Sequence, residues 1–75
     1  MRLAIVVPCY NEEKVISESA RRLTNVLHTL ITNKKIEDNS FILFVNDGSK
    51  DNTWPMIEDL YTKDKHIFGL CLALN

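Results

Sequence analysis

Three short apolar runs alternate with two longer segments in which apolar residues recur every three or four positions. The runs at residues 3–7, 41–45 and 67–74 lack alternating polar residues, which is typical of buried strands. Residues 12–32 place their apolar side chains on one face of a predicted helix: Val15, Ile16, Ala20, Leu23, Val26, Leu27, Leu30 and Ile31. A shorter helix is predicted from Thr53, with Ile57, Leu60 and Tyr61 on its apolar face.

The predicted order of elements is β-α-β-α-β. Apolar strands joined by helices predict a parallel sheet that is covered by helices on both faces, which is a three-layer α/β unit. We expect Pro8 to end the first strand. Asn11 is predicted to cap the first helix, with Glu12 and Glu13 in its first turn, where the helix dipole favours acids. Thr53 is predicted to cap the second helix.

Composition narrows the class of protein. The chain has 75 residues, 25% of them charged, with a formal net charge of −1, which predicts one domain and argues against a nucleic-acid surface. Cys9 and Cys71 fit no metal-binding spacing and are interpreted as reduced thiols. The apolar run before Pro8 is too short for a signal peptide, and no run approaches the roughly 18 residues of a membrane-spanning helix. We therefore expect a cytoplasmic location.

Polar residues cluster in the loops after the first two strands, residues 8–13 and 46–53. Ligands of open parallel sheets bind at the carboxyl ends of the strands. Neither loop contains a glycine-rich phosphate-binding pattern. Asp47 could instead accept hydrogen bonds from a base or a ribose, and Tyr10 offers an aromatic face, which together suit a nucleoside. Taken singly, Ser49, Asp51 and Thr53 are more typical of turns and helix caps than of ligand contacts.

The two loops occur in the stretches "VVPCYNEEKVI" and "ILFVNDGSKDNTW". Together these stretches closely resemble the opening of the family 2 glycosyltransferases, which have an apolar strand, Pro-x-Tyr-Asn-Glu, a helix, and a second strand ending in Asp-Gly-Ser-x-Asp-x-Thr. Within that family the chain is most similar to the polyprenyl-phosphate sugar transferases, the group of bactoprenol glucosyltransferase and dolichol-phosphate mannose synthase. The resemblance implies a GT-A fold, whose N-terminal half is Rossmann-like.

The resemblance also implies roles for single residues. The residues expected to bind the nucleotide of a UDP- or GDP-sugar are Pro8, Tyr10, Glu12, Val45 and Asp47. The residues expected to shape the loops are Asn11, Gly48, Ser49, Asp51 and Thr53. No residue of the chain is assigned as catalytic or as a metal ligand, and Glu13 is interpreted only as a helix-dipole acid. Residues 1–75 are then a partial nucleotide-sugar-binding domain.

Other parts of such an enzyme are not found in the 75 residues. The family's Asp-x-Asp-type motif, which carries Mg²⁺ or Mn²⁺, and its catalytic base lie further downstream. The complete enzyme is expected to be an inverting transferase acting on a polyprenyl phosphate at the cytoplasmic face of a membrane, whereas the chain alone is expected to be inactive. The first strand, internal in the family, would present a bare edge, so we expect self-association there. A non-catalytic nucleotide- or partner-binding module and a ligand-free α/β unit remain alternatives.

Overall fold

A computed structural model describes residues 1–72. It contains, in chain order, β1 (Ala4–Cys9), α1 (Ile16–Thr32), β2 (Phe41–Asp47), α2 (Thr53–Lys63) and β3 (Ile67–Leu72). Within these residues β2 is the central strand and runs parallel to both β1 and β3. The predicted β-α-β-α-β order and the parallel sheet are confirmed. The predicted third strand extended to residue 74, and that part lies outside the described residues.

Strand β1 continues through Pro8 to Cys9, so the prediction that Pro8 ends the strand is wrong. The Leu3 carbonyl accepts a hydrogen bond from the Phe41 N–H at 2.9 Å. Backbone groups of successive residues in a parallel strand point to alternate sides, so those of Pro8 point away from β2. In residues 1–72 that side of β1 has no neighbouring strand, and an edge tolerates a proline without loss of a ladder hydrogen bond.

Helix α1 begins at Ile16, later than predicted, and Asn11 does not cap it. The Glu12 carbonyl accepts hydrogen bonds from the N–H groups of Val15 and Ile16 at 3.0 and 2.9 Å, which forms a turn before the helix. Asn11 has a φ of 52°, a left-handed conformation that asparagine tolerates better than most residues. Glu12 and Glu13 therefore lie before the first residue of α1 and not within the helix, where they were predicted.

Thr53 is the first residue of α2 and not its cap. The N-cap is Asn52, which makes no side-chain capping hydrogen bond. The predicted capping role of Thr53 is therefore wrong, and its buried hydroxyl is used elsewhere, as described below. None of the helices in residues 1–72 is long and apolar enough to cross a bilayer.

Both helices pack on the same face of the sheet. Two crossovers of the same hand that step in the same direction across a sheet must lie on one side of it. The core between helices and sheet is formed by Ile16, Ala20, Leu27, Ile42, Phe44, Ile57 and Ile67. Gly69 permits the close approach of α2, since a Cβ there would lie 2.7 Å from Ile57 Cγ2 and 2.9 Å from Tyr61 Cδ2.

The opposite face of the sheet, called the open face from here on, consists of Ala4, Val6, Pro8, Phe41, Leu43, Val45, Phe68, Leu70 and Leu72. Val6 is 59% exposed and Phe68 is 51% exposed. Helices were predicted on both faces of the sheet, but in residues 1–72 they cover one face only. These residues therefore form two layers. The reason is the strand order, which places both crossovers on the same side.

Candidate functional site

The loops after β1 and β2 lie side by side because the two strands are neighbours. Cys9 and Asn46, the last residues before the loops diverge, are register partners. The Asn11 N–H donates to Ser49 Oγ at 2.9 Å, and the Lys50 N–H donates to Asn11 Oδ1 at 2.9 Å. The left-handed conformation of Asn11 thus allows both its backbone and its side chain to bind the second loop.

Three more hydrogen bonds join the loops further from the strands. The Glu12 N–H donates to Thr53 Oγ1 at 2.8 Å. The Glu13 N–H donates to Asp51 Oδ2 at 3.3 Å, and the Asn52 N–H donates to Glu13 Oε1 at 3.2 Å. Glu13 is therefore an acceptor between the loops, a role that the sequence analysis missed. No local sequence signal marks it, because its partner is 39 residues away.

Asp51 organises the start of α2. Its Oδ1 accepts hydrogen bonds from the N–H of Thr53, at 2.9 Å, and from the Thr53 hydroxyl. Burial by itself raises the pKa of Asp51, but the hydrogen bonds from Thr53 and from the Glu13 N–H outweigh it and leave this pKa below its usual value. Asp51 is therefore ionised at neutral pH and holds both loops through its two oxygens.

The adjacent residues Asn46 and Asp47 point to opposite faces of the sheet. Asn46 is buried on the helix side, where its Nδ2 contacts Cys71 Sγ at 3.2 Å and its Oδ1 accepts from the Ser49 N–H at 3.3 Å. Asp47 is exposed on the open-face side, and its carboxylate accepts no hydrogen bond from residues 1–72. Gly48 follows with a φ of 71°, which a glycine adopts without strain.

The residues predicted to contact a nucleotide fall into two groups. Pro8 and Val45 are register partners at the carboxyl end of the open face, and Asp47 follows two residues after Val45 on the same side. Tyr10 is 55% exposed and Glu12 is partly buried, both in the loop after β1. An apolar wall, an unpaired carboxylate and an aromatic ring therefore lie at the same edge of the sheet.

One cleft beside the two loops includes two of these five residues, Pro8 and Glu12. This cleft, of about 190 Å³, is lined by Val7, Pro8, Cys9, Glu12, Ile16, Ser19 and Phe44. Val45 and Asp47 do not line this cleft, which lies on the helix side of β1. Asp47 lies on the open face, where it is exposed to solvent in residues 1–72.

Residues 1–72 contain no group of three His, Cys, Asp or Glu side chains that could hold a metal ion. Cys9, beside the site, is buried, and both burial and the nearby Glu12 carboxylate raise the pKa of its thiol. Cys9 is therefore a packing residue and not an activated nucleophile.

Three known proteins that are similar to this chain are all named as transferases of sugars. The chain is 51% identical over 73 residues to "Uncharacterized glycosyltransferase YkoT" of Bacillus subtilis, covering 97% of this chain and 22% of that protein. It is 41% identical over 59 residues to "Uncharacterized glycosyltransferase YkcC" of the same organism, covering 79% and 16%. It is 29% identical over 75 residues to "Undecaprenyl-phosphate 4-deoxy-4-formamido-L-arabinose transferase" of Proteus mirabilis, covering 99% and 21%.

The chain thus spans about a fifth of the length of these curated relatives. The family model of "Glycosyl transferase family 2" matches residues 4–71, from the first residue of β1 to the last residue but one of β3. That match covers both loops of the candidate site and all five elements of the fold except the last residue of β3. The chain therefore belongs to glycosyl transferase family 2.

Proposed function

We propose that this chain is the nucleotide-sugar-binding portion of a glycosyltransferase and binds the nucleoside of a UDP- or GDP-sugar at the carboxyl edge of its sheet. The observation that carries the proposal is the exposed carboxylate of Asp47, without a hydrogen-bond partner in residues 1–72, directly beside the apolar wall of Pro8 and Val45. A carboxylate in that position accepts hydrogen bonds from a base N–H, and such charge-assisted bonds are about twice as strong as neutral ones.

The hydrogen bonds between the loops support this proposal. They hold the loops in one arrangement before a ligand arrives, so less conformational entropy is lost on binding. Asn11, Ser49, Asp51 and Thr53 then act by positioning the loops, together with Glu13. Tyr10 supplies the face of its ring to the base or ribose, and Glu12 accepts from the sugar-nucleotide beside it.

For the complete protein we propose inverting transfer of the sugar to a polyprenyl phosphate at the cytoplasmic face of a membrane. The relative from Proteus mirabilis is named as an undecaprenyl-phosphate sugar transferase, which supports this acceptor class. A Mg²⁺ or Mn²⁺ ion would stabilise the leaving diphosphate, with ligands outside this chain. Binding a nucleoside stabilises substrate and transition state alike, so the chain alone is proposed to be a partial domain without transferase activity.

A second candidate is a non-catalytic module that binds a nucleotide or a protein partner. One observation supports this candidate. Residues 1–72 contain no group of three His, Cys, Asp or Glu side chains that could hold a catalytic metal ion. A nucleotide-binding module would share the nucleoside site with the first candidate and would differ from it in lacking a longer polypeptide that completes a catalytic site. Transfer assays on a longer chain distinguish them, while nucleotide binding by itself does not.

The test of the site is an NMR titration of the chain with UDP and, separately, with GDP. We expect selective shifts at Tyr10, Glu12 and Asp47, with a preferred base. Asp47→Asn is expected to weaken binding about tenfold or more, since a charge-assisted hydrogen bond contributes about 1.5–3 kcal/mol. The matched control is Asp59→Asn, because Asp59 is an exposed acid on α2 that pairs with Lys63 at 3.0 Å.

Two outcomes would refute the assignment. Equal binding by the Asp47→Asn variant and the unchanged chain would show that Asp47 holds no nucleotide. Absence of shifts with both nucleotides in a folded chain would remove the nucleoside site from this portion of the protein.

A further inference from the structure

We propose that Asn46 is a positioning residue of the candidate site. Its buried side chain joins β3 to the loop after β2 and thereby sets the direction in which the neighbouring Asp47 carboxylate points. Asn46 is 2% exposed, so it acts through the residues around it and not by contact with a ligand. Its place in the turn depends on hydrogen bonds among residues 1–72, whereas its consequence for nucleotide binding rests on the proposed function.

The side-chain amide of Asn46 uses one end for β3 and the other for the loop. Its Nδ2 donates to Cys71 Sγ at 3.2 Å, and its Oδ1 accepts from the Ser49 N–H at 3.3 Å. Cys71 is the register partner of Asn46 on β3, so the ladder between the two strands brings the sulfur to the amide. With both ends engaged, the buried amide is held in one orientation, because an unpaired polar group inside a protein is costly.

The hydrogen bond to Ser49 closes a turn at the end of β2. The turn comprises residues 46–49, and Gly48 in its third position has a φ of 71°. Within residues 1–72 the Ser49 N–H has no backbone acceptor, so the Oδ1 of Asn46 takes the place of a backbone carbonyl, as asparagine side chains do in many turns. Loss of that oxygen therefore frees the turn even where the strand ladder remains intact.

Asp47 depends on this turn more than the other proposed nucleotide contacts do. It occupies the second position of the turn, on the open-face side, and its carboxylate accepts no hydrogen bond from residues 1–72. The loop after β1 has a separate support, because the Glu12 N–H donates to the buried Thr53 hydroxyl at 2.8 Å. Asn46 therefore acts on nucleotide binding mainly through Asp47.

Substitutions of Asn46 separate the hydrogen bond to the loop from simple filling of space. Aspartate has the same shape as asparagine and keeps an oxygen for the Ser49 N–H, although it loses the N–H that donates to Cys71. Leucine has similar branching and neither group. If the oxygen holds the turn, aspartate should preserve it and leucine should not.

Amide hydrogen exchange of the chain without nucleotide, followed by NMR, tests the turn. The Ser49 N–H should exchange about five- to tenfold faster in Asn46→Leu, because it has lost its acceptor. In Asn46→Asp its exchange should stay within about twofold of the unchanged chain, because the carboxylate accepts the same hydrogen bond. Asn46→Ala repeats the test without the bulk of leucine. Equal exchange in the unchanged chain, Asn46→Leu and Asn46→Ala overturns the proposal.

Ser40→Ala is the matched control for a general loss of stability. Ser40 is fully buried just before β2, and its Oγ accepts from the Leu3 N–H at 2.9 Å. This variant also leaves one backbone N–H without its acceptor, but about 20 Å from Asn46 along the strand. It should lower the melting temperature without faster exchange at Ser49. Equally fast exchange at Ser49 in this control would trace the effect to global opening and overturn the proposal.

A double-variant cycle tests the consequence for nucleotide binding. If the proposed function is correct, Asn46→Leu should weaken binding of UDP or GDP about fivefold, but less than about twofold in a chain that carries Asp47→Asn, because effects that act through one group are not additive. Ser40→Ala should leave binding unchanged.

The outcomes of the cycle separate the two proposals. Binding that Asp47→Asn does not weaken refutes the nucleoside site alone, since the exchange of Ser49 tests the turn by itself. If Asp47→Asn weakens binding and Asn46→Leu does not, Asn46 is not a positioning residue for Asp47. Equal losses from Asn46→Leu with and without the Asp47 carboxylate overturn the same role.

Discussion

The Glu12 N–H donates a hydrogen bond to the side-chain hydroxyl of Thr53 at 2.8 Å, across 41 positions of sequence. The same hydroxyl donates to the carboxylate of Asp51. Thr53 is fully buried, so both interactions are shielded from water. The side chain of Thr53, at the start of α2, thus fixes the loop after β1. That loop carries two proposed nucleotide contacts, Tyr10 and Glu12.

Thr53→Val should destabilise the chain by about 1–3 kcal/mol, because it leaves the Glu12 N–H without its acceptor in a buried setting. Valine keeps the shape of threonine, so the loss reports the hydroxyl alone. Urea denaturation followed by circular dichroism measures it. The control is Thr62→Val, where an exposed hydroxyl donates to the Glu58 carbonyl at 2.7 Å. The control should change stability by less than about 0.5 kcal/mol, and equal losses would contradict the role assigned to Thr53.

Gly48→Ala should cost about 1–2 kcal/mol, because the φ of 71° at Gly48 is a left-handed conformation that alanine avoids. Gly48→Asn should cost less, since asparagine enters this region more readily. Thermal unfolding of both variants measures the difference, which corresponds to a few degrees in a domain of this size. Equal melting temperatures for the two variants would show that the loop relaxes to another conformation.

Acid should release the contacts of Asp51. Its folded-state pKa lies below its usual value, because the hydrogen bonds from Thr53 and Glu13 outweigh the effect of burial. The stabilisation is therefore fully present above about pH 5 and is lost as the pH falls through the unfolded-state pKa of about 3.9 toward the lower folded-state pKa. We expect the amide NMR signals of Thr53 and Glu13 to titrate together in that range.

Two variants assign that titration. Asp51→Asn should abolish the shared titration of the Thr53 and Glu13 amides. Glu18→Gln is the control, because hydrogen bonds from Arg21 and Arg22 also lower the pKa of Glu18, but far from the two loops. Titration of the Thr53 amide in the Asp51→Asn variant would mean that another acid controls the loop.

The two thiols should react at different rates. Cys9 is 3% exposed, whereas Cys71 is exposed, and burial followed by the Glu12 carboxylate raises the pKa of Cys9. At pH 8 iodoacetamide should modify Cys71 at least about tenfold faster than Cys9, because only an accessible thiolate reacts. Peptide mass spectrometry measures both rates, and urea should make them similar. Equal rates in the folded chain would place Cys9 at the surface.

The order of the helices and strands follows from short sequence patterns, each within one segment of the chain. The spacing of apolar residues in residues 12–32 gave a helix, and the β-branched and aromatic runs gave the strands, because each pattern matches the period of one kind of backbone. The same patterns predicted that the two loops of the candidate site lie together, since the carboxyl ends of neighbouring parallel strands share an edge. The two sequence motifs were also sufficient for the family, because both lie within a few residues of a strand end.

Tertiary structure alone decided which residues meet between the loops. Glu13 was predicted to be a helix-dipole acid and is an acceptor for Asn52, and Asn11 was predicted to be a helix cap and binds Lys50. Their partners lie 39 positions away, so no pattern within one segment could identify them. The open face was missed for a related reason. Apolar residues on both sides of a strand predict that both faces are buried, whereas the direction of the two crossovers decides which face the helices of residues 1–72 cover.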